Sequence, residues 1–160
     1  MKKLTLQTEF SAFESPGELP ETARRLLKAA KKAMENAYSP YSNFKVGAAV
    51  LLENGEIVSG SNYENASYPL CICAEQTVLT TAANQFPNVP VLAIAVTVQN
   101  PRRVIDRPGP PCGACRQVIC ETEMKYQRAM QVILQGETGP VFVFEKGHDL
   151  LPLAFDGSYL

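Results

Sequence analysis

Cys73-Ala74-Glu75 and, later in the chain, Cys112-Gly113-Ala114-Cys115 bring three thiols and a carboxylate into a pattern suited to a metal ion. A Cys-x-x-Cys at the start of a helix puts two sulfurs on one side of one metal ion, and the helix N-terminus favours their thiolate form. A third thiolate from another helix start leaves a zinc ion one open position. Three protein ligands plus a water is the catalytic pattern, whereas four ligands make a structural site. Glu75 follows Cys73 closely enough to reach a water in that open position without being a ligand itself.

A Cys-x-x-Cys taken alone also suits a redox pair, half of a structural zinc site or two core cysteines. The redox reading lacks a thioredoxin-like strand and helix ahead of the motif. A structural four-cysteine site would need Cys71 as the fourth ligand, and an extended segment is expected to point Cys71 and Cys73 in different directions. Cys71 and Cys120 read as small core residues, and His148, the one histidine, as a surface residue. Five cysteines is an odd number, all between positions 71 and 120. In a reducing compartment such a cluster suggests metal or catalysis before disulfides.

Positioning these groups needs a folded domain, and the chain is long enough for one. At 160 residues, 46% hydrophobic and 19% charged, it reads as a single globular domain. The formal net charge is -1 and no Lys/Arg run exceeds two residues, which argues against nucleic acid or an anionic membrane as a partner. No apolar stretch is long enough to span a bilayer, and Gln7 and Glu9 interrupt any apolar leader core. The expectation is a cytoplasmic protein.

The pattern along the chain predicts α/β architecture. Ala23, Leu26, Leu27, Ala30, Met34 and Ala37 follow helical spacing over residues 20–37. Residues 45–53 and 56–61 read as a hairpin around Asn54-Gly55, which suits a type I′ turn. Residues 74–84 read as a helix, and the apolar run Val91–Val98 as a central strand buried on both faces. A helix over 113–121 and strands over 131–134 and 141–144 follow. Leu4–Thr8 could form an edge strand. Strands separated by helices imply parallel members covered on both sides: a three-layer α/β/α domain with a mixed, roughly five-stranded central sheet. Residues 1–20 are taken as an N-terminal extension and 21–160 as the single domain.

Several motifs together carry a resemblance. The runs are Tyr38-Ser39-Pro40-Tyr41-Ser42-Asn43-Phe44-Lys45-Val46-Gly47-Ala48-Ala49, Asn62-Tyr63-Glu64-Asn65-Ala66-Ser67-Tyr68-Pro69, Cys73-Ala74-Glu75, Pro111-Cys112-Gly113-Ala114-Cys115-Arg116-Gln117, and Leu150-Leu151-Pro152 with Phe155. The zinc-deaminase signature H-x-E…P-C-x-x-C has a Cys₃ variant, and in these runs the sequence resembles the small, homotetrameric, zinc-dependent cytidine deaminases over about residues 21–156. The resemblance implies Zn²⁺, one per subunit, on Cys73, Cys112 and Cys115, with Glu75 as proton shuttle. It implies that Asn62 and Glu64 hydrogen-bond the ribose 3′-hydroxyl and that Phe44 packs on the nucleoside. Ala66, Tyr68 and Phe155 match positions that, in the family, reach a neighbouring subunit's site. The implied reaction is hydrolytic deamination of cytidine and 2′-deoxycytidine in pyrimidine salvage. A modified or antibiotic aminopyrimidine nucleoside as substrate, or a zinc-stabilised binding module without turnover, are the alternatives.

One residue departs from the family pattern. Gln76 stands where the tetrameric enzymes usually carry an Arg that tempers the charge of the three thiolates. Arg116, or the N-termini of the two site helices, would have to compensate.

Overall fold

The structure is a computed structural model that describes residues 1–160. Six strands form one mixed sheet: β1 (Ser11–Phe13), β2 (Lys45–Leu52), β3 (Ile57–Ser61), β4 (Val91–Gln99), β5 (Gln131–Gln135) and β6 (Val141–Phe144), in the order β1-β6-β5-β4-β2-β3. Only the β4–β5 pair is parallel; the other neighbours run antiparallel. Helix α1 (Glu21–Met34) covers one face, and α2 (Ala74–Gln85) and α3 (Gly113–Tyr126) cover the other. The three-layer expectation holds, with six strands in place of five.

The extra strand explains the count. Its backbone pairs Ser11–Phe13 with Val143–Val141, and Phe10 packs on Phe142 and Phe144 with ring centroids 4.7 and 5.0 Å away. Leu4 and Leu6, where an edge strand was expected, find no apolar face and stay exposed. The sheet edge is reached later in the chain.

Alternation along β2 and β4 divides the core. Val50, Ile94 and Val96 face α2 and α3, while Ala49, Ala93 and Ala95 face α1. Val91–Val98 is the central strand its composition implies, buried along nearly its whole length. Small residues let α1 approach closely: a Cβ on Gly47 would sit 2.1 Å from the Ala30 carbonyl oxygen. The helix ends at Met34, short of residue 37, because Glu35, Asn36 and Ala37 switch to tighter bonds with the carbonyls three residues back. In the β2–β3 turn only Gly55 takes a left-handed φ, at 87°, and its N–H bonds the Leu52 carbonyl. This is a type I turn followed by a left-handed glycine, not the type I′ turn expected.

Candidate metal centre and the cavity beside it

Two helix starts meet at the cysteines. Cys73 is the N-cap residue of α2 and Cys112 that of α3, with Cys115 in the first turn of α3. The three Sγ atoms lie within 4.8 Å of one another, and those of Cys112 and Cys115 are 3.5 Å apart. Tetrahedral zinc with Zn–S bonds of 2.3 Å holds its sulfurs about 3.8 Å apart, so this donor set fits zinc with little adjustment. Cys71 is not part of the cluster, so the ligand set is three thiols and not four.

The electrostatics lower the Cys73 thiol and raise that of Cys115. Both helix N-termini direct partial positive charge at the sulfurs. A hydrogen bond from the Cys115 thiol is the main influence lowering the Cys73 thiol to about 7, against opposing effects of burial and of the Glu75 charge. The Cys115 thiol is held far above the ordinary thiol range, first by that same bond and then by burial. Gln76 Nε2 donates to Cys115 Sγ at 3.9 Å. Arg116 does not compensate the thiolates directly: its Nε donates to the Pro111 carbonyl and Nη1 to the Leu150 carbonyl, both at 2.9 Å. It ties the residue before Cys112 to the C-terminal tail.

Glu75 is buried at the start of α2, only 5% exposed. Burial pushes its carboxyl up from the ordinary value. It opens with Cys73 and Cys112 onto a cavity of about 420 Å³ whose lining includes Phe44, Asn62 and Glu64. The sequence-predicted ligands, acid/base group and sugar-binding pair therefore share one site, and Phe44 joins them.

The positioning of Asn62 and Glu64 follows from strand alternation. Tyr63 pairs with Tyr38 on one side and Ile72 on the other, so its neighbours fall on one side of the segment. Asn62 Oδ1 accepts from the Val46 N–H at 2.8 Å and its Nδ2 donates to the Phe44 carbonyl at 3.0 Å. The Glu64 carboxylate accepts from the N–H groups of Tyr41 and Ser42, at 2.9 and 3.3 Å, and from the Ser42 hydroxyl. Those bonds, the Ser42 hydroxyl foremost, hold it below the usual carboxylate value. An amide and a carboxylate keep spare N–H and lone-pair capacity after such contacts. Ser42 is the residue the sequence reading missed; its signal was the polar loop immediately before Phe44.

Ala66, Tyr68 and Phe155 do not enter this cavity. Ala66 and Tyr68 are exposed, and the Tyr68 ring meets Tyr41 edge-on at 6.1 Å. Phe155 is exposed and stacks on Tyr159 at 5.6 Å, while Gln117 Nε2 holds its carbonyl at 2.7 Å. Cys120 is buried as expected, and His148 is exposed, its side chain at 45%. Cys71 is a correction: it is exposed and lines the cavity, its sulfur accepting from the Asn65 N–H at 3.2 Å. Residues two apart in an extended segment share a side, so Cys71 opens onto the same cavity as Cys73.

Comparison with known proteins follows the same lines. Residues 20–130 match the family model "Cytidine and deoxycytidylate deaminase zinc-binding region". A cytidine deaminase of Halalkalibacterium halodurans is 45% identical over 130 residues, 81% of this chain and 91% of that protein. One from Sporosarcina psychrophila is 46% identical over 98 residues, 61% of this chain and 67% of that one. The crystal structure of cytidine deaminase from Burkholderia pseudomallei superposes with a TM-score of 0.72 at 44% identity, covering 86% of this chain and all of that one.

Proposed function

This chain belongs to the cytidine and deoxycytidylate deaminase family, and from that premise we propose that it hydrolyses cytidine and 2′-deoxycytidine to uridine or 2′-deoxyuridine and ammonia. The observation that carries the reading is the opening of the cysteine cluster and Glu75 onto the cavity that Asn62 and Glu64 also line.

Cys73, Cys112 and Cys115 would hold the zinc. Bound there, zinc supplies a Lewis acid that makes water nucleophilic near neutral pH. Glu75 accepts the proton that water gives up and delivers it to the ring N3. As the water oxygen adds at C4, Glu75 takes the remaining proton from that hydroxyl and passes it to the departing amino group; the C4–N bond breaks, C4 becomes a carbonyl and ammonia leaves. Burial supports this role, because a carboxyl raised above its ordinary value holds and returns a proton more readily. Asn62 and Glu64 bind the ribose 3′-hydroxyl, one offering an N–H and the other a lone pair. A pocket built to pair a hydroxyl rejects analogues that lack it. Phe44 packs against the nucleoside.

Ala66, Tyr68 and Phe155 act in a neighbouring subunit's site within a homotetramer. Their exposure away from their own chain's cavity is what this arrangement requires. The tail is held for that purpose by the Gln117 bond to Phe155. No helix is long and apolar enough to cross a membrane, and a cytoplasmic place in pyrimidine salvage suits the substrate.

Purified zinc-loaded chain mixed with cytidine should release ammonia as the cytidine absorbance band is lost, and chelation should stop it. Zinc-loaded tetramer that leaves cytidine and deoxycytidine intact would contradict the proposal.

A further inference from the structure

A second cavity, of about 380 Å³, lies at the end of the sheet where β2 begins and β4 ends. Lys45 and Gln99 pair directly across these strands, and both line it, with Asn100, Arg102, Arg103 and Glu137. It is separate from the metal centre. Phe44 and Val98 line the catalytic cavity, whereas their neighbours Lys45 and Gln99 line this one. By alternation Lys45 and Gln99 lie on the face where Ala49, Ala93 and Ala95 pack against α1.

The charge is one-sided. Lys45, Arg102 and Arg103 bring three cations, and none of them is in an ion pair. The one carboxylate, Glu137, accepts from Gln99 Nε2 at 3.2 Å. Local positive excess in a chain of net charge -1 is a feature of this site and not of the composition. The backbone that carries the arginines is also held. Arg102 N–H donates to Asn100 Oδ1 at 3.0 Å and Arg103 N–H to the Asn100 carbonyl at 3.2 Å. The Ile105 carbonyl accepts from the N–H groups of Glu137 and Thr138, at 2.8 and 3.2 Å. A Cβ on Gly136 would sit 2.5 Å from the Ile105 carbonyl oxygen, so glycine there permits the close contact that pins the loop to the turn after β5.

We propose that Lys45, Arg102 and Arg103 form a binding site for a phosphate group, either free or as the ester of a small polar molecule. Guanidinium forks match phosphate oxygens in pairs, and a lysine adds a point charge. The polar walls suit a hydrophilic ligand. The ligand is not the deaminated nucleoside, whose site lies on the opposite face of the sheet.

Isothermal titration of the zinc-loaded full chain with inorganic phosphate, at fixed ionic strength, should give saturable binding. Arg102→Gln with Arg103→Gln should weaken it by about tenfold or more. Lys2→Gln with Lys3→Gln, which removes two lysines outside the cavity, should leave it unchanged. Cytidine turnover at the parent rate reports that both variants fold. Glycerol 3-phosphate separates the two sources: tighter binding than phosphate assigns the site to an ester, and equal or weaker binding assigns it to the free ion. Binding that does not saturate, or that survives the double arginine substitution, overturns the proposal.

Discussion

Gln76 Nε2 stands 3.9 Å from Cys115 Sγ, an uncharged N–H set against the most deeply buried of the three clustered thiols. The thiolate charge is therefore met by two helix N-termini and a neutral donor, with Arg116 turned to the carbonyls of Pro111 and Leu150. Gln76→Leu removes the donor while keeping the bulk. Zinc affinity should fall by about tenfold, as for other groups that support a metal ligand from behind. Competition against a chromophoric chelator measures it, and an unchanged affinity would remove Gln76 from the account.

Glu123 holds the far end of α3 in place. Its carboxylate accepts from the N–H groups of Met130, Gly147 and His148 at 2.7, 2.8 and 2.9 Å. Glu123→Ala leaves buried donors without partners, and the loss should be about 3 kcal/mol of folding stability. Urea unfolding of the zinc-loaded protein checks this; a loss under about 0.5 kcal/mol, the size of an ordinary surface change, would contradict it.

Glu64 sets a limit on the acid side. Its carboxyl lies below the ordinary 4.5 because the Ser42 hydroxyl and the N–H groups of Tyr41 and Ser42 favour the charged form. For a lowered carboxyl, the contribution is present above the unfolded value and is lost as pH falls through the folded one. Nucleoside binding should therefore weaken only below pH 4.5 on this account, and Ser42→Ala should move that midpoint upward toward 4.5. Fluorescence or calorimetric titration against pH, over the range where the protein stays folded, reads the shift. A midpoint that does not move would separate Ser42 from the behaviour of Glu64.

The tail makes a different prediction. Phe155 is 58% exposed and outside its own chain's cavity. Phe155→Ala should leave the melting temperature close to that of the parent. It should raise KM for cytidine roughly tenfold if a neighbouring subunit uses the ring as a stacking surface. Equal KM values would show that the ring does not reach a site.

Much of this was legible in the sequence because the signals were local. Cys-x-x-Cys at a helix start, a glutamate two positions after a cysteine, and an apolar run of strand length each report on a few residues. What was missed depends on partners distant in sequence. The edge strand was expected at Leu4–Thr8, but its position is set by Val141–Val143 across the sheet. Helix α3 runs on to Tyr126, past the expected end at residue 121, because its last turn buries the polar Glu123 against backbone N–H groups and not an apolar side chain. Of the two compensations the sequence offered, Arg116 is engaged elsewhere for a similar reason: its partners, the carbonyls of Pro111 and Leu150, have no sequence signature. The turn at Asn54-Gly55 shows that a dipeptide compatible with one turn type also serves another.

In the proposed mechanism Glu75 moves protons beside a zinc held only by Cys73, Cys112 and Cys115. Glu75→Gln isolates that role, with bound zinc and kcat measured on the same sample. Full zinc occupancy is expected, with kcat lowered by a factor of about 10²–10⁴. Full occupancy with undiminished turnover would contradict the proton-transfer role. Loss of zinc along with turnover would make Glu75 part of the metal site and contradict the three-cysteine assignment.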